Sequence, residues 1–445
     1  MPLEFGTDGV RGLANAELTP ELVLALGRAA ARILGGPFLV GRDTRLSGPM
    51  LQAAFSAGAA SEGVSVVDLG VLPTPGVAFV SAGWTAPGAV ISASHNPFPD
   101  NGVKLFAAGG RKLTDAEEQT LEDELRRVVA GEGDARPTGA GVGRLERDPA
   151  AREAYAAHLV ASLEGRTLED LTVVLDCGHG AASVVAPQVV RMAGATVHDL
   201  GVDPDGTNVN DGSGSTDLTA LRKAVIDHGA DAGLAFDGDA DRVLAVDGEG
   251  GVVDGDHLIA LCALDLRERG RLKDDTVVVT VMTNLGLRRA MDAAGIAVHE
   301  TPVGDRHVLA ALDAGGWSLG GEQSGHLIFR SLATTGDGIL TGLQLLDLLA
   351  RRRKPLAELG AAAMTRLPQV LRNVRLVARP DGDVAELLAP AVGAEQARLG
   401  ADGRVLVRPS GTEAMVRVMV EAPTLDQAED VAARLAAEVT RVLGP

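Results

Sequence analysis

One arrangement recurs three times along the chain and limits what it can fold into. Gly63-Val-Ser-Val-Val-Asp68 leads on to Gly88-Ala-Val-Ile-Ser-Ala-Ser94. Gly194-Ala-Thr-Val-His-Asp199 leads on to Ala232-Gly-Leu-Ala-Phe-Asp237, and Gly295-Ile-Ala-Val-His-Glu300 to Trp317-Ser-Leu-Gly-Gly-Glu322. Each time a glycine-led strand is followed, after a helix, by an apolar strand that ends in a polar loop. Alternating strands and helices imply a parallel sheet covered on both faces. Recurrence at this scale implies equivalent structural units. Ligands of such sheets gather at the carboxyl ends of the strands, so three different loops are expected to face one cleft.

The flanking signals support the same reading. Thr19-Pro20-Glu21 opens a helix through Leu34, with Thr19 as N-cap and Gly35-Gly36 as stop. Strands are expected at Phe38–Gly41, Val64–Asp68 and Thr172–Asp176, and a helix over 49–62. Segment 129–148, rich in Gly, Arg and Asp, reads as a first linker, and Leu367-Pro368 marks another. Beyond it come strands at Val370–Val377, Val405–Arg408 and Val416–Glu421, then an amphipathic helix over 424–443. The expected organisation is α/β: three similar domains with mixed or parallel sheets at 1–148, 149–252 and 253–364, and a smaller C-terminal α+β domain at 365–445.

Charge narrows the partners. Asp and Glu total 60 against 41 Lys and Arg, a net charge of −19. That argues against nucleic acid and anionic membrane, and requires any phosphate site to be assembled from local positive groups. Lysine occurs only at 104, 112, 223, 273 and 354, so Lys104 within a Pro/Asn/Gly turn stands out. Cys177 and Cys262 lie in apolar settings and read as buried reduced thiols rather than a disulfide or metal pair. The first residues lack a secretory signal, and no apolar run reaches the roughly 20 residues of a membrane span. A soluble cytoplasmic protein is expected.

The loops carry the chemistry. Ser94 ends the first apolar strand and precedes the turn Pro97-Phe-Pro-Asp-Asn-Gly102, with Lys104 just beyond. Serine needs a base, a metal or prior modification to act as a nucleophile; taken alone, Ser94-His-Asn-Pro97 is more often a capped turn. Absence of a Gly-x-Ser-x-Gly elbow disfavours esterase chemistry. Asp237, Asp239 and Asp241 alternate with small residues and can converge on one hard cation, or form an acidic turn beside Arg242. An EF-hand is excluded, because its Gly position is Arg242 and its Glu position is Gly248. A phosphatase with strand-end aspartates is a competitor, although Ala240-Asp241 after Asp239 does not fit the haloacid-dehalogenase pattern.

In the third loop, Glu322 and Ser324 suit hydrogen bonds to sugar hydroxyl or amino groups and His326 suits acid–base work, although the loop alone reads equally as a capped polar turn. Near the C-terminus Arg408, Ser410, Thr412, the backbone at Gly411 and Arg417 can surround one phosphate with donors. Phe5-Gly-Thr-Asp-Gly-Val-Arg-Gly12 is a second loop that can present backbone N–H groups and a guanidinium to phosphate, but it lacks the Walker pattern.

Together these motifs resemble the α-D-phosphohexomutase family: 5–12, Ser92–Pro97 with Asp100–Lys104, Asp237–Arg242, Gly321–His326 and Arg408–Glu413 occur in the family's order over essentially the whole length. Gln323-Ser324 is similar to the glucosamine branch rather than the phosphomannomutase/phosphoglucomutase branch. Two residues depart from the pattern: Ala414 replaces the usual proline, and His307 a usual tyrosine. The resemblance implies four domains around a central cleft. It implies that Ser94 works as a phosphoserine and that Mg2+ is held by Asp237, Asp239, Asp241 and that phosphate. Lys104 and His326 would handle protons at opposite ends of the exchange, with Arg11 steadying charge near Ser94. Arg242, Glu322 and Ser324 would bind the sugar phosphate, and Arg408, Ser410, Gly411, Thr412 and Arg417 the phosphate that is not reacting. The activity implied is interconversion of glucosamine 6- and 1-phosphates through a 1,6-bisphosphate, also the activator, supplying UDP-N-acetylglucosamine and cell-wall precursors. A homodimer is implied too. The alternatives are a mannose- or glucose-phosphate mutase of the same family, a metal-dependent sugar phosphatase and a non-catalytic sensor.

Overall fold

The computed structural model describes residues 9–133, 135–377, 384–409 and 414–444. It divides into two compact units, Met1–Val281 with Ile296–Ala361, and Met282–Gly295 with Ala362–Pro445.

The first domain begins with β1 (Val10–Leu13) and α1 (Pro20–Leu34). The hydroxyl of Thr19 accepts the Leu22 N–H at 3.3 Å, and Pro20 occupies the first turn, where no N–H is needed. Then come β2 (Phe38–Arg42), α2 (Gly48–Ser61), β3 (Val66–Val71), α3 (Thr74–Trp84), β4 (Gly88–Ile91), β5 (Asp100–Ala107), β6 (Arg111–Lys112), α4 (Asp115–Val129) and β7 (Leu145–Arg147). The sheet order is β1-β5-β4-β2-β3-β7, with β6 on β5. Phe38 and Phe55 sit edge to face at 5.4 Å between β2 and α2, and burying each such ring contributes about 1.5–3 kcal/mol.

The second domain contains α5 (Ala151–Ala161), β8 (Thr172–Asp176), α6 (Ala186–Met192), β9 (Thr196–Leu200), α7 (Thr219–His228), β10 (Ala232–Phe236), β11 (Val243–Asp247) and β12 (Val252–Val253). The third contains α8 (Gly255–Glu268), β13 (Thr276–Thr280), α9 (Leu285–Ala293), β14 (Ala297–Thr301), α10 (Asp305–Gly315), β15 (Leu319–Gly321), β16 (Leu327–Phe329) and α11 (Gly338–Arg352).

The repeat is now explicit. Each sheet contains three parallel strands and an antiparallel fourth, in the orders β5-β4-β2-β3, β11-β10-β8-β9 and β16-β15-β13-β14. The loops β4–β5, β10–β11 and β15–β16 are therefore topologically equivalent. They are the loops that carry Ser94, the three aspartates and Glu322–His326.

The chain finishes with α12 (Leu356–Ala363), β17 (Gln369–Arg375), α13 (Val384–Leu399), β18 (Arg404–Pro409), β19 (Met415–Glu421) and α14 (Leu425–Leu443). An antiparallel sheet, β17-β19-β18, packs the alternating Val416, Val418 and Val420 against Val431, Leu435 and Val439 of α14. In the second compact unit α9 joins this domain: Asn284 exchanges hydrogen bonds with Leu367, and the Leu285 N–H donates to buried Glu421.

Several boundaries differ from expectation. The proposed linker at 129–148 includes β7, which pairs in parallel with β3 and so extends the first sheet. β3 starts two residues later than expected and runs to Val71. The turn after Ser94 ends at Pro99, and Lys104 lies inside β5, opposite Val90 of β4. The sheets are mixed because the strand after each polar loop returns as a hairpin. Cys177 and Cys262 are buried unbridged thiols; burial, with Asp265 nearby, pushes Cys262 up to about 12. No helix among the described residues is long and apolar enough to cross a membrane.

Candidate active site

Ser94 is fully buried and has left-handed backbone, with φ of 55°. A non-glycine residue adopts that conformation only where its surroundings impose it. Its Oγ donates to Asp237 Oδ2 at 2.6 Å and lies 3.3 Å from His95 Nδ1. The β10–β11 loop can come this close because residue 238 is glycine: a Cβ there would lie 2.6 Å from the Ser94 carbonyl oxygen.

The three aspartates do converge. Asp237, Asp239 and Asp241 are all buried, and each offers an oxygen within 4.8 Å of the others. Lys104 Nζ bridges two of them, at 2.7 Å from Asp239 Oδ2 and 3.1 Å from Asp241 Oδ2. Thr74, at the start of α3, donates its hydroxyl to Asp239. Asp239 Oδ1 and Asp241 Oδ1 are buried with no hydrogen-bond partner among the described residues. Burial, reinforced by Asp241 and Asp239, pushes Asp237 well above the usual carboxylate range. Burial opposes ionisation of Asp241 also, but Lys104, His326 and Arg242 outweigh it and hold that carboxyl well below. Three buried carboxylates, two of them with an unsatisfied oxygen, form a hard-donor set that fits a small divalent cation.

Positive groups line the same place. The backbone N–H of Arg242 donates to Asp237 Oδ1, and its guanidinium reaches His95 Nδ1 at 3.3 Å. Arg11, on β1 opposite Gly102, joins burial and Arg242 in pushing His95 down to about 4, so His95 is neutral at pH 7.

From the third loop, His326 Nδ1 stands 3.8 Å from Asp241 Oδ1 and its Nε2 3.4 Å from Asp305 Oδ2. The first separation is that of an ion pair rather than a hydrogen bond. Burial works against the imidazolium, but Asp241 and Asp305 prevail and raise its pKa. Lys112 donates in turn to Asp305. Gly336 makes room for the ring, since a Cβ would sit 2.2 Å from Nε2. Glu322 Oε1 accepts the Gly304 N–H at 3.1 Å, and Ser324 is exposed in the same loop.

In the C-terminal domain Arg408 and Arg417 face each other across β18 and β19. Like charges directly opposite are unfavourable. Burial, with Arg417 alongside, depresses the pKa of Arg408, and Arg417 Nε is buried without a hydrogen-bond partner. An anion would satisfy both. Ser410, Gly411 and Thr412 lie outside the described residues, as do residues 5–8 of the first glycine-rich loop.

The fold thus gathers Ser94, Lys104, Arg242, His326 and the aspartates, with Arg11 nearby. Sequence reasoning missed Asp43, Arg45, Thr74, Asn210 and Asp305. Arg306, beside Asp305, pairs with Asp115 and Glu118 of α4. The His179 carbonyl accepts a bond from the Thr44 hydroxyl, and its Nδ1 lies 3.1 Å from the Asp203 carbonyl oxygen.

Family models match almost the whole chain. Those for phosphoglucomutase/phosphomannomutase alpha/beta/alpha domains I, II and III match residues 2–130, 153–251 and 254–367. The C-terminal domain model matches residues 371–438. A phosphoglucosamine mutase of Frankia alni is 55% identical over 99% of this chain and 98% of its own length. Another from Rhodococcus opacus is 54% identical over 98% and 99%. A phosphoglucomutase/phosphomannomutase family protein from Burkholderia thailandensis superposes with a TM-score of 0.79 at 25% identity, covering 98% of this chain and 97% of that one.

Proposed function

The chain belongs to the phosphoglucomutase/phosphomannomutase family, and on that premise we propose that it catalyses the phosphoglucosamine mutase reaction. Glucosamine 6-phosphate and glucosamine 1-phosphate interconvert through phosphoserine 94 and a 1,6-bisphosphate. The observation that carries the reading is the meeting of three equivalent loops: Ser94 Oγ 2.6 Å from Asp237, Lys104 on Asp239 and Asp241, and His326 beside Asp241. Identity above 50% to curated mutases over the full length supports the amino-sugar branch.

In the forward direction the phosphoryl group leaves Ser94 Oγ for O1 of the sugar. The proton of the 1-hydroxyl passes to a basic group, and the serine oxygen regains a proton. After the bisphosphate turns over, its 6-phosphoryl group returns to Ser94. Lys104 and His326 handle protons at the two ends, and Arg11 and Arg242 offset charge near the serine. Glu322 and Ser324 hold sugar hydroxyls. Arg408 and Arg417, with Ser410, Gly411 and Thr412, hold the phosphate at rest. Asp237, Asp239 and Asp241, with the phosphoserine, would hold Mg2+, which neutralises charge on the transferred group so that an incoming oxygen meets less repulsion. Sugar 1,6-bisphosphate serves as activator. The four domains divide near residues 148, 252 and 364.

The test is conversion of glucosamine 6-phosphate to glucosamine 1-phosphate with Mg2+ and a trace of sugar bisphosphate, comparing the natural chain with Ser94→Ala. Conversion by the natural chain alone supports the mechanism. Release of inorganic phosphate without isomerisation, or equal turnover by both proteins, refutes it.

A further inference from the structure

We propose that Arg45 and Ser92 are positioning residues for the phosphoryl-carrying serine, closing with Asp43 a hydrogen-bonded ring around both peptide groups of Ser94. This rests on the reading of Ser94 as that carrier. The Ser94 N–H donates to Ser92 Oγ at 2.9 Å, and the Ser92 hydroxyl donates to Asp43 Oδ2 at 2.7 Å. The same carboxylate oxygen accepts Arg45 Nε at 2.8 Å, and Arg45 Nη2 donates to the Ser94 carbonyl at 2.8 Å. Entry to and exit from the left-handed residue are thus fixed by one connected set of bonds.

Arg45 does more than close the ring. Nη2 also donates to Asn96 O at 2.8 Å, while Nη1 donates to Pro97 O at 2.6 Å and Asp100 O at 2.9 Å. Five bonds match the five N–H groups of a guanidinium, and Arg45 is 1% exposed. The carbonyls of residues 94, 96, 97 and 100 would otherwise be left without this donor in or near the interior. From the second domain, Asn210 Nδ2 adds bonds to Ser94 O at 2.9 Å and Asn96 O at 3.2 Å.

A group that must give up a phosphoryl and take it back in another orientation gains from an invariant Oγ position. Relaxation of φ from 55° would swing Oγ away from Asp237, and the ring opposes that relaxation. Lysine cannot substitute: its three donors radiate from one atom and cannot span four carbonyls between residues 94 and 100 while also reaching Asp43. Neither Arg45 nor Ser92 is assigned a contact with substrate, so their effect must travel through Ser94.

The experiment compares Arg45→Lys, Ser92→Ala and Ser94→Ala in the full chain with Mg2+ and saturating sugar bisphosphate. It reads kcat and KM for glucosamine 6-phosphate, together with amide exchange over residues 93–101. The expected result for Arg45→Lys and Ser92→Ala is a fall in kcat of about 10–100-fold with KM within about twofold, and faster exchange confined to that loop. If Arg45→Lys fails to fold, Ser92→Ala, which removes one oxygen, decides alone. Unchanged kcat in Ser92→Ala, or a parallel loss of kcat, KM and exchange protection throughout the chain, overturns the inference. Turnover by Ser94→Ala equal to the natural chain instead overturns the underlying reading of Ser94.

Discussion

Asp337 offers a prediction in which the charge of one buried group can be read against pH. It is the N-cap of α11, accepting the Leu340 N–H at 2.9 Å and the hydroxyl of fully buried Tyr155 at 2.8 Å. Burial, only partly offset by these bonds, raises its pKa from 3.8 to about 6. A raised folded pKa means that the native state binds more protons than the unfolded chain between roughly pH 4 and 6. The stability linked to Asp337 is therefore complete below about pH 4 and is lost as pH rises through about 6. A gap of about 2 pH units at 1.36 kcal/mol each gives about 3 kcal/mol. Asn at 337 keeps the shape and an N-cap oxygen without the charge. Asp337→Asn should equal the natural chain at pH 4 and exceed it by up to about 3 kcal/mol at pH 8. Urea unfolding of both proteins at several pH values, followed by tryptophan fluorescence and circular dichroism, gives the difference directly. A difference that does not change between pH 4 and 8 would refute the argument, and so would one that grows as pH falls.

Two other outcomes follow from charges described above. Lys104→Met should destabilise the protein in the presence of EDTA by about 3–5 kcal/mol, because three buried carboxylates lose the ammonium bridging two of them; Mg2+ should recover much of that loss, and an equal loss with and without Mg2+ contradicts the assignment of the aspartates. Arg417→Gln should leave phosphate-free stability unchanged or raised by up to about 1 kcal/mol, since it relieves a like-charge pair, while KM for glucosamine 6-phosphate rises; denaturation alongside steady-state kinetics checks both, and a less stable variant with unchanged KM would contradict the phosphate role.

Much of the arrangement was legible because strand signals are local. Thr172–Asp176 is rich in β-branched residues, Ala232–Phe236 is a short unbroken apolar run, and both end in polar turns. The helix from Pro20 to Leu34 was readable at both ends from Thr19, Pro20 and Gly35. Lys104 stood out by rarity, and the aspartates by their period. What escaped depends on contacts far apart in sequence. β7 became a strand only by pairing with β3, nearly 80 residues away, and nothing in Leu-Glu-Arg alone says so. Arg45 sits 49 residues from Ser94, in a chain whose positive charge is mostly arginine, so its type carried no signal. Asn210 and Asp305 owe their positions to the folding of neighbouring domains, and short-range pattern cannot reveal that.

The position of α9 has a bearing on how this polypeptide can be cut. By chain order the helix is the crossover between β13 and β14, yet the side chain of its N-cap, Asn284, is bonded to Leu367 and the backbone N–H of Leu285 to Glu421. The C-terminal domain is consequently not a detachable cassette. A fragment ending near residue 361 would retain α9 while stripping it of those anchors. A fragment beginning at 362 would carry Glu421 without the Leu285 amide it accepts. Truncation between residues 361 and 362 would damage both products, so coexpression of complementary pieces should be tried with breaks that keep residues 282–295 beside their partners.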